Sequence, residues 1–231
     1  MKARVNTCAV QQSCLQSSAL GVLGSIAHPV GRPGEYSGRV MHGKSQVAEF
    51  SLHAGPDVDA TQVTIDLARI AGSPLVGQPY KAHKYSVNSD GYLMLFVSEG
   101  LGGFWVQLSS QGTYRSRVVF DSRRLKSGDL FIATLIRPGT HQAKMPRAVA
   151  AIRVRAPEAS DKAFQPPPPA GMTCTKTGFV PKRLEVYATQ GIVFGFETTS
   201  RVQIDLTKPA PARSAKSRRS ARWRGRPDIR R

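Results

Sequence analysis

Alternation with a period of two is the feature that most constrains this chain. Val63, Ile65 and Leu67 point one way while Gln62, Thr64 and Asp66 point the other. Val202, Ile204 and Leu206 repeat the pattern against Gln203 and Asp205. Successive side chains of a strand face opposite sides of a sheet, so such runs suit half-buried strands rather than helices of period 3.6. Residues 36–42 and 47–53 read as a hairpin turning through Gly43-Lys44-Ser45. Residues 92–97 and 130–136 are apolar on both faces and read as buried strands. Residues 104–108, 114–121 and 148–154 add further strands, and Gly, Pro and Asp turns separate all of them. Seven or eight strands within about 120 residues predict an all-β chain, folded as an antiparallel Greek-key-type β-sandwich.

The ends do not share this pattern. Residues 1–34 read as a leader, disordered or weakly signal-like. Lys2 and Arg4 precede an apolar run at 19–27, and Ser25-Ile26-Ala27 has the small-residue form of a cleavage site. The polar stretch 6–18 separates the charges from that run, which favours a cytoplasmic chain over an exported one. Residues 35–155 make the main sandwich. Over 156–177, four consecutive prolines (Pro166 to Pro169) impose an extended polyproline II segment, read as a semi-rigid linker. Residues 178–207 carry three more short strands, too few for a core of their own, which pack on the main domain. Residues 208–231 form a basic tail that cannot fold alone.

Within the last strands, Phe179, Pro181, the alternating Leu184 and Val186, Gly191 and the strand Ile192 to Phe196 resemble the opening of a cupredoxin-like domain. The resemblance covers residues 178–196 and implies a Greek-key sandwich. Copper in such folds needs two His and a Cys, often with an axial Met. No His follows His141, so the resemblance implies the fold without the metal.

Motifs of catalysis and cofactor binding are missing from the sequence. Neither a nucleophile elbow nor a Ser-x-x-Lys motif occurs, and no pair of acids has catalytic spacing. The glycine-dense run Ser98 to Gly103 leads into a strand, whereas a phosphate loop leads into a helix, so it reads as a hairpin or bulge. His28, His42, His53, His83 and His141 match no metal-ligand spacing and read as exposed or edge residues. Cys8, Cys14 and Cys174 form no disulfide framework. No apolar run reaches the length of a membrane-spanning helix. The sequence therefore predicts a non-catalytic chain without metal or cofactor.

Charge is the remaining signal. The chain carries a formal net charge of +18. Ten Lys/Arg and one acid, Asp228, fall between Lys208 and Arg231, so half of that charge sits in the last 24 residues. An anionic macromolecule is the expected partner: an acidic protein, a nucleic acid or an anionic membrane surface. Two groups of residues are the candidate anion-binding sites. One is Arg115, Arg117, Arg123, Arg124 and Lys126, with Tyr114 and Trp105 near it. The other is the tail cluster Lys216, Arg218, Arg219, Arg222, Trp223, Arg224 and Arg226, where guanidinium forks suit phosphate and the indole suits base stacking. The leading expectation is a binding protein whose body provides specificity and whose tail adds electrostatic affinity. The alternatives are a nucleic-acid-binding protein using tail and patch together, and an extracytoplasmic ligand-binding or redox sandwich.

Overall fold

The computed structural model describes residues 7–72, 83–111, 116–157 and 164–211. Two short helices, α1 (Thr7–Gln11) and α2 (Leu67–Ala71), stand among seventeen strands of the described residues. The first eight are β1 (Cys14–Gln16), β2 (Gly24–Pro29), β3 (Gly34–His42), β4 (Ser45–Gly55), β5 (Gln62–Asp66), β6 (His83–Asn88), β7 (Tyr92–Phe96) and β8 (Phe104–Ser110). The rest are β9 (Arg117–Asp121), β10 (Leu130–Thr134), β11 (Gly139–Met145), β12 (Ala148–Arg155), β13 (Ala170–Thr175), β14 (Gly178–Val180), β15 (Arg183–Tyr187), β16 (Gly191–Phe196) and β17 (Gln203–Pro209). The chain is all-β, as its alternation predicts.

The strands form a seven-stranded sheet ordered β14-β13-β16-β10-β2-β7-β5. Two five-stranded sheets accompany it, β6-β4-β3-β8-β9 and β1-β17-β11-β12-β15. Buried residues of all three share one core: Ile26, Leu95, Phe131 and Phe194 from the first, Phe50 and Leu108 from the second, Ile152 and Ile204 from the third. The sheets are mixed. The ladders β4·β6, β5·β7, β12·β15 and β13·β16 are parallel, where the sequence reading had only antiparallel pairs. A period of two is common to both kinds of ladder and does not encode direction.

The structure also redraws the boundaries. Residues 14–29, expected in a leader, form β1 and β2. β2 lies inside the seven-stranded sheet between β10 and β7, and Ile26 is fully buried. Cleavage after Ala27 would cut this strand in two. The alternation at 62–67 ends one residue early, because the Asp66 carboxylate accepts the Ala68 N–H at 3.1 Å and caps α2. The proline run leads straight into β13 at Ala170, so it connects strands of one fold. It is held there by a hydrogen bond from Gln190 Nε2 to the Pro168 carbonyl at 2.7 Å, while Phe164 packs on Tyr187. Structure continues past 207: Thr207 Oγ1 donates to the Thr140 carbonyl, and the Ala210 N–H to that of Pro138.

An internal duplication organises all of this, and the sequence reading missed it. Arg32-Pro33-Gly34 recurs as Arg137-Pro138-Gly139, Ser17 as Ser122 and Leu20 as Leu125, each pair 105 residues apart. Equivalent residues do equivalent work. Gly34 and Gly139 take φ of 148° and 144°, where a side chain would be strained. Tyr36 Oη donates to the Arg32 carbonyl at 2.8 Å, and His141 Nε2 to that of Arg137, also at 2.8 Å. The buried Ser122 hydroxyl accepts the Val106 N–H at 2.8 Å, and the buried Ser17 hydroxyl accepts that of Val202 at 3.0 Å. A pseudo-two-fold axis passes through the pair Ile26·Phe131, which Ala27·Leu130 and Ser25·Ile132 flank symmetrically. The two five-stranded sheets are the two copies of one unit. β1, from the first repeat, closes the sheet of the second, and β9, from the second, closes the sheet of the first.

Candidate anion-binding surface

Residues able to do chemistry are mostly tied into the framework. His28 Nδ1 and Asp129 Oδ1 lie 2.6 Å apart in the core, and Asp129 Oδ2 accepts the Lys126 N–H at 2.8 Å. The His28 ring stacks on Phe120 with centroids 4.2 Å apart. His28 and His141 are therefore buried, contrary to the reading of the histidines as exposed or edge residues. Burial lowers the His141 pKa, partly offset by its bond to the Arg137 carbonyl. His53 pairs with Glu35 at the surface. Cys174 is buried, and desolvation raises its pKa to about 12, so its thiolate is suppressed. Among the described residues, no three His, Cys, Asp or Glu side chains gather where they could hold a metal ion.

The glycine run is not a hairpin, because β7 and β8 belong to different sheets. It lets the backbone cross closely. Gly102 has φ 75°, and a Cβ there would lie 2.5 Å from Gly21 Cα.

Four members of the predicted basic patch are described, at β9 and the turn after it. Arg123 makes a bidentate fork with Asp121, Nε to Oδ1 at 3.0 Å and the terminal nitrogen to Oδ2 at 2.6 Å. Its guanidinium lies 3.7 Å above the Trp105 ring. Burial raises the Asp121 pKa, but the bonds from Arg123 outweigh it and leave the carboxyl below its usual value. Lys126 Nζ donates to the Val119 carbonyl at 2.8 Å. Two of the four cations thus have partners within the chain. Arg117 and Arg124 are exposed and, among the described residues, outside any ion pair. Tyr114, Arg115 and the tail cluster Lys216, Arg218, Arg219, Arg222, Trp223, Arg224 and Arg226 lie outside the described residues.

A second concentration of cations, missed in the sequence, surrounds the β11–β12 turn. On one side is an open cavity of about 410 Å³ between this turn, the β13–β14 turn and the loop before β17. Arg147, Lys176, Thr175, Thr198, Thr199 and Ser200 contribute its polar lining, with no carboxylate among the lining residues. On the other side, Lys144 and Arg201 line a cavity of about 230 Å³ that shares Met145 and Pro146 with the first. Lys144 pairs with Asp205 at 2.9 Å. Burial raises the Asp205 pKa, but bonds from Gln203 and Lys144 outweigh it and hold the carboxyl low. Lys144 and Arg147 flank one turn, while Lys176 and Arg201 come from segments far away in sequence, so no local run marks the group. The repeat, whose offset falls from 105 residues at Arg137-Pro138-Gly139 to 96 at β17, was the one signal that could have related these segments to the first half.

No protein-family model, no curated protein and no solved structure matches this chain.

Proposed function

We propose that this is a non-catalytic binding protein for an anionic macromolecule, with the β body providing the specific surface and the cationic tail adding long-range attraction. The supporting observation is the division of labour among polar residues. Buried His28, Asp129 and His141 are committed to internal hydrogen bonds, while cations outside any ion pair among the described residues face solvent: Arg117 and Arg124 at β9 and the turn after it, and Arg147 and Lys176 at the β11–β12 and β13–β14 turns. In its finer form the proposal takes the body as a Greek-key-type, cupredoxin-like sandwich without copper. The Arg123–Trp105 stack, with exposed Arg124 next to it in the chain and Arg117 on the same strand pair, favours nucleic acid as the particular anion, since guanidinium and aromatic groups together suit phosphate and base.

The test compares the full chain with one ending at Pro211, which keeps β17 whole. Binding to duplex DNA, single-stranded RNA and an acidic polypeptide is followed by fluorescence anisotropy over a salt series. The shorter chain should bind more weakly. On nucleic acid, each lost phosphate contact should flatten its log–log salt slope by about 0.7–0.9. Equal affinity and equal slope for both chains would remove the tail from the mechanism. No binding to any of the three polyanions by either chain would remove the proposal.

A further inference from the structure

We infer that the cavity between the β11–β12 turn, the β13–β14 turn and the 198–200 loop is a binding site for a phosphate group carried by a ligand. The site deepens the reading of an anion-binding protein and rests on it.

The two repeats make the case by comparison. Ladder registers place Thr198, Thr199 and Ser200 where the first repeat has Gly102, Gly103 and Phe104, and the β11–β12 hairpin, which turns at Pro146-Arg147, ends short of the level that His42 holds. In the first repeat this place is covered. His42 Nε2 donates to the Gly102 carbonyl at 3.0 Å, its ring meets Phe104 at 5.0 Å, and a Cβ on Gly103 would lie 3.4 Å from it. In the second repeat the same framework persists, with the Leu125–Ser200 bridge standing for Leu20–Phe104. The covering His42 and Phe104 have no counterpart there: three hydroxyl residues stand at the level of Gly102 to Phe104, Arg147 sits in the shortened turn beside them, and the cavity of about 410 Å³ is open.

The replacement has a chemical direction. Arg147 stands on one wall and Lys176 on another, both exposed and outside any ion pair among the described residues. Thr198 and Thr199 line the same cavity, their hydroxyls making no hydrogen bond to the described residues. Two cations and free hydroxyl donors with no lining carboxylate match a tetrahedral oxyanion, which accepts hydrogen bonds on every face. The Arg fork can take two of its oxygens. The volume falls within the range of small-ligand sites and exceeds what a bare phosphate fills, so part of the carrier also enters.

The experiment uses the ¹⁵N-labelled full-length protein. Phenyl phosphate, the phosphodiester of a thymidine dinucleotide and succinate are titrated separately while amide signals are followed. The expected result is saturable shifts at 176–178 and 198–200 with at least one phosphate probe. Preference for phenyl phosphate identifies a terminal phosphate, and preference for the dinucleotide identifies a nucleic-acid backbone; either upholds the site. Arg147→Ala with Lys176→Ala should weaken binding about tenfold or more, and Thr198→Val with Thr199→Val by several-fold. Arg117→Ala with Arg124→Ala should leave it within about twofold. Shifts confined to the tail, equal shifts with succinate, or equal weakening by the Arg117/Arg124 pair would overturn the assignment. If polyanion binding by the full chain survives that outcome, this site fails while the broader reading stands.

Discussion

Asp129 shows how much one side chain can hold together. It is fully buried and joins three parts of the fold: its own loop through the Lys126 N–H, β2 through His28, and β9 through the stack of His28 on Phe120. Asp129→Ala leaves a histidine nitrogen and a backbone N–H unsatisfied in the core. It should cost about 3–5 kcal/mol, measured by urea denaturation. A loss below about 1 kcal/mol would mean that the pair contributes no net stability. The sequence did not announce this pair, because His28 and Asp129 are far apart in the chain. The symmetric place across the axis holds Gly24 and Ala133, so even the repeat does not predict it. By contrast, the suppressed reactivity of Cys174 follows from its position on the inward phase of β13, which its alternating neighbours could have indicated.

At the scale of elements, the exchanged strands matter most. β1 has three residues and sits at a sheet edge, yet Leu15 is buried opposite Ile204. Leu15→Ala should therefore destabilise the protein by about 2–5 kcal/mol, as measured by thermal or urea melting. A dispensable leader would make the same change silent, so the measurement separates the two views of residues 1–34. β9 is the counterpart, with Phe120 filling the place that Leu15 fills. Hairpins such as β3–β4 were legible because their pairing is local and their turn residues are distinctive. The parallel ladders were not, because β4 reaches β6 only after β5 and α2 have passed to the other layer. Of the basic patch, Arg123 lies over Trp105, while Arg117 stands at the other end of the β8–β9 ladder opposite Ser110; the sequence could not say this, nor that Asp121 and the Val119 carbonyl would occupy Arg123 and Lys126.

The whole molecule is a duplicated unit whose copies cannot be separated without leaving each an incomplete sheet. β1 and β9 cross between repeats, β2 and β10 pair on the axis, and the apolar residues form one cluster. Unfolding should be a single cooperative transition, with near- and far-ultraviolet circular dichroism giving coincident denaturation curves. Two resolved transitions would show that the repeats are independent after all. The sequence by itself determined the all-β class, the positions of most strands, the cation-rich tail and the poverty of catalytic motifs. These follow from alternation, turn chemistry and composition, which are local quantities. Only the tertiary structure decided which strands pair and in which direction, that residues 14–29 belong to the fold, that His28 meets Asp129, and that Arg147, Lys176 and Thr198 share one cavity. Those outcomes depend on contacts between distant segments, and a period of two carries no record of a strand's partner.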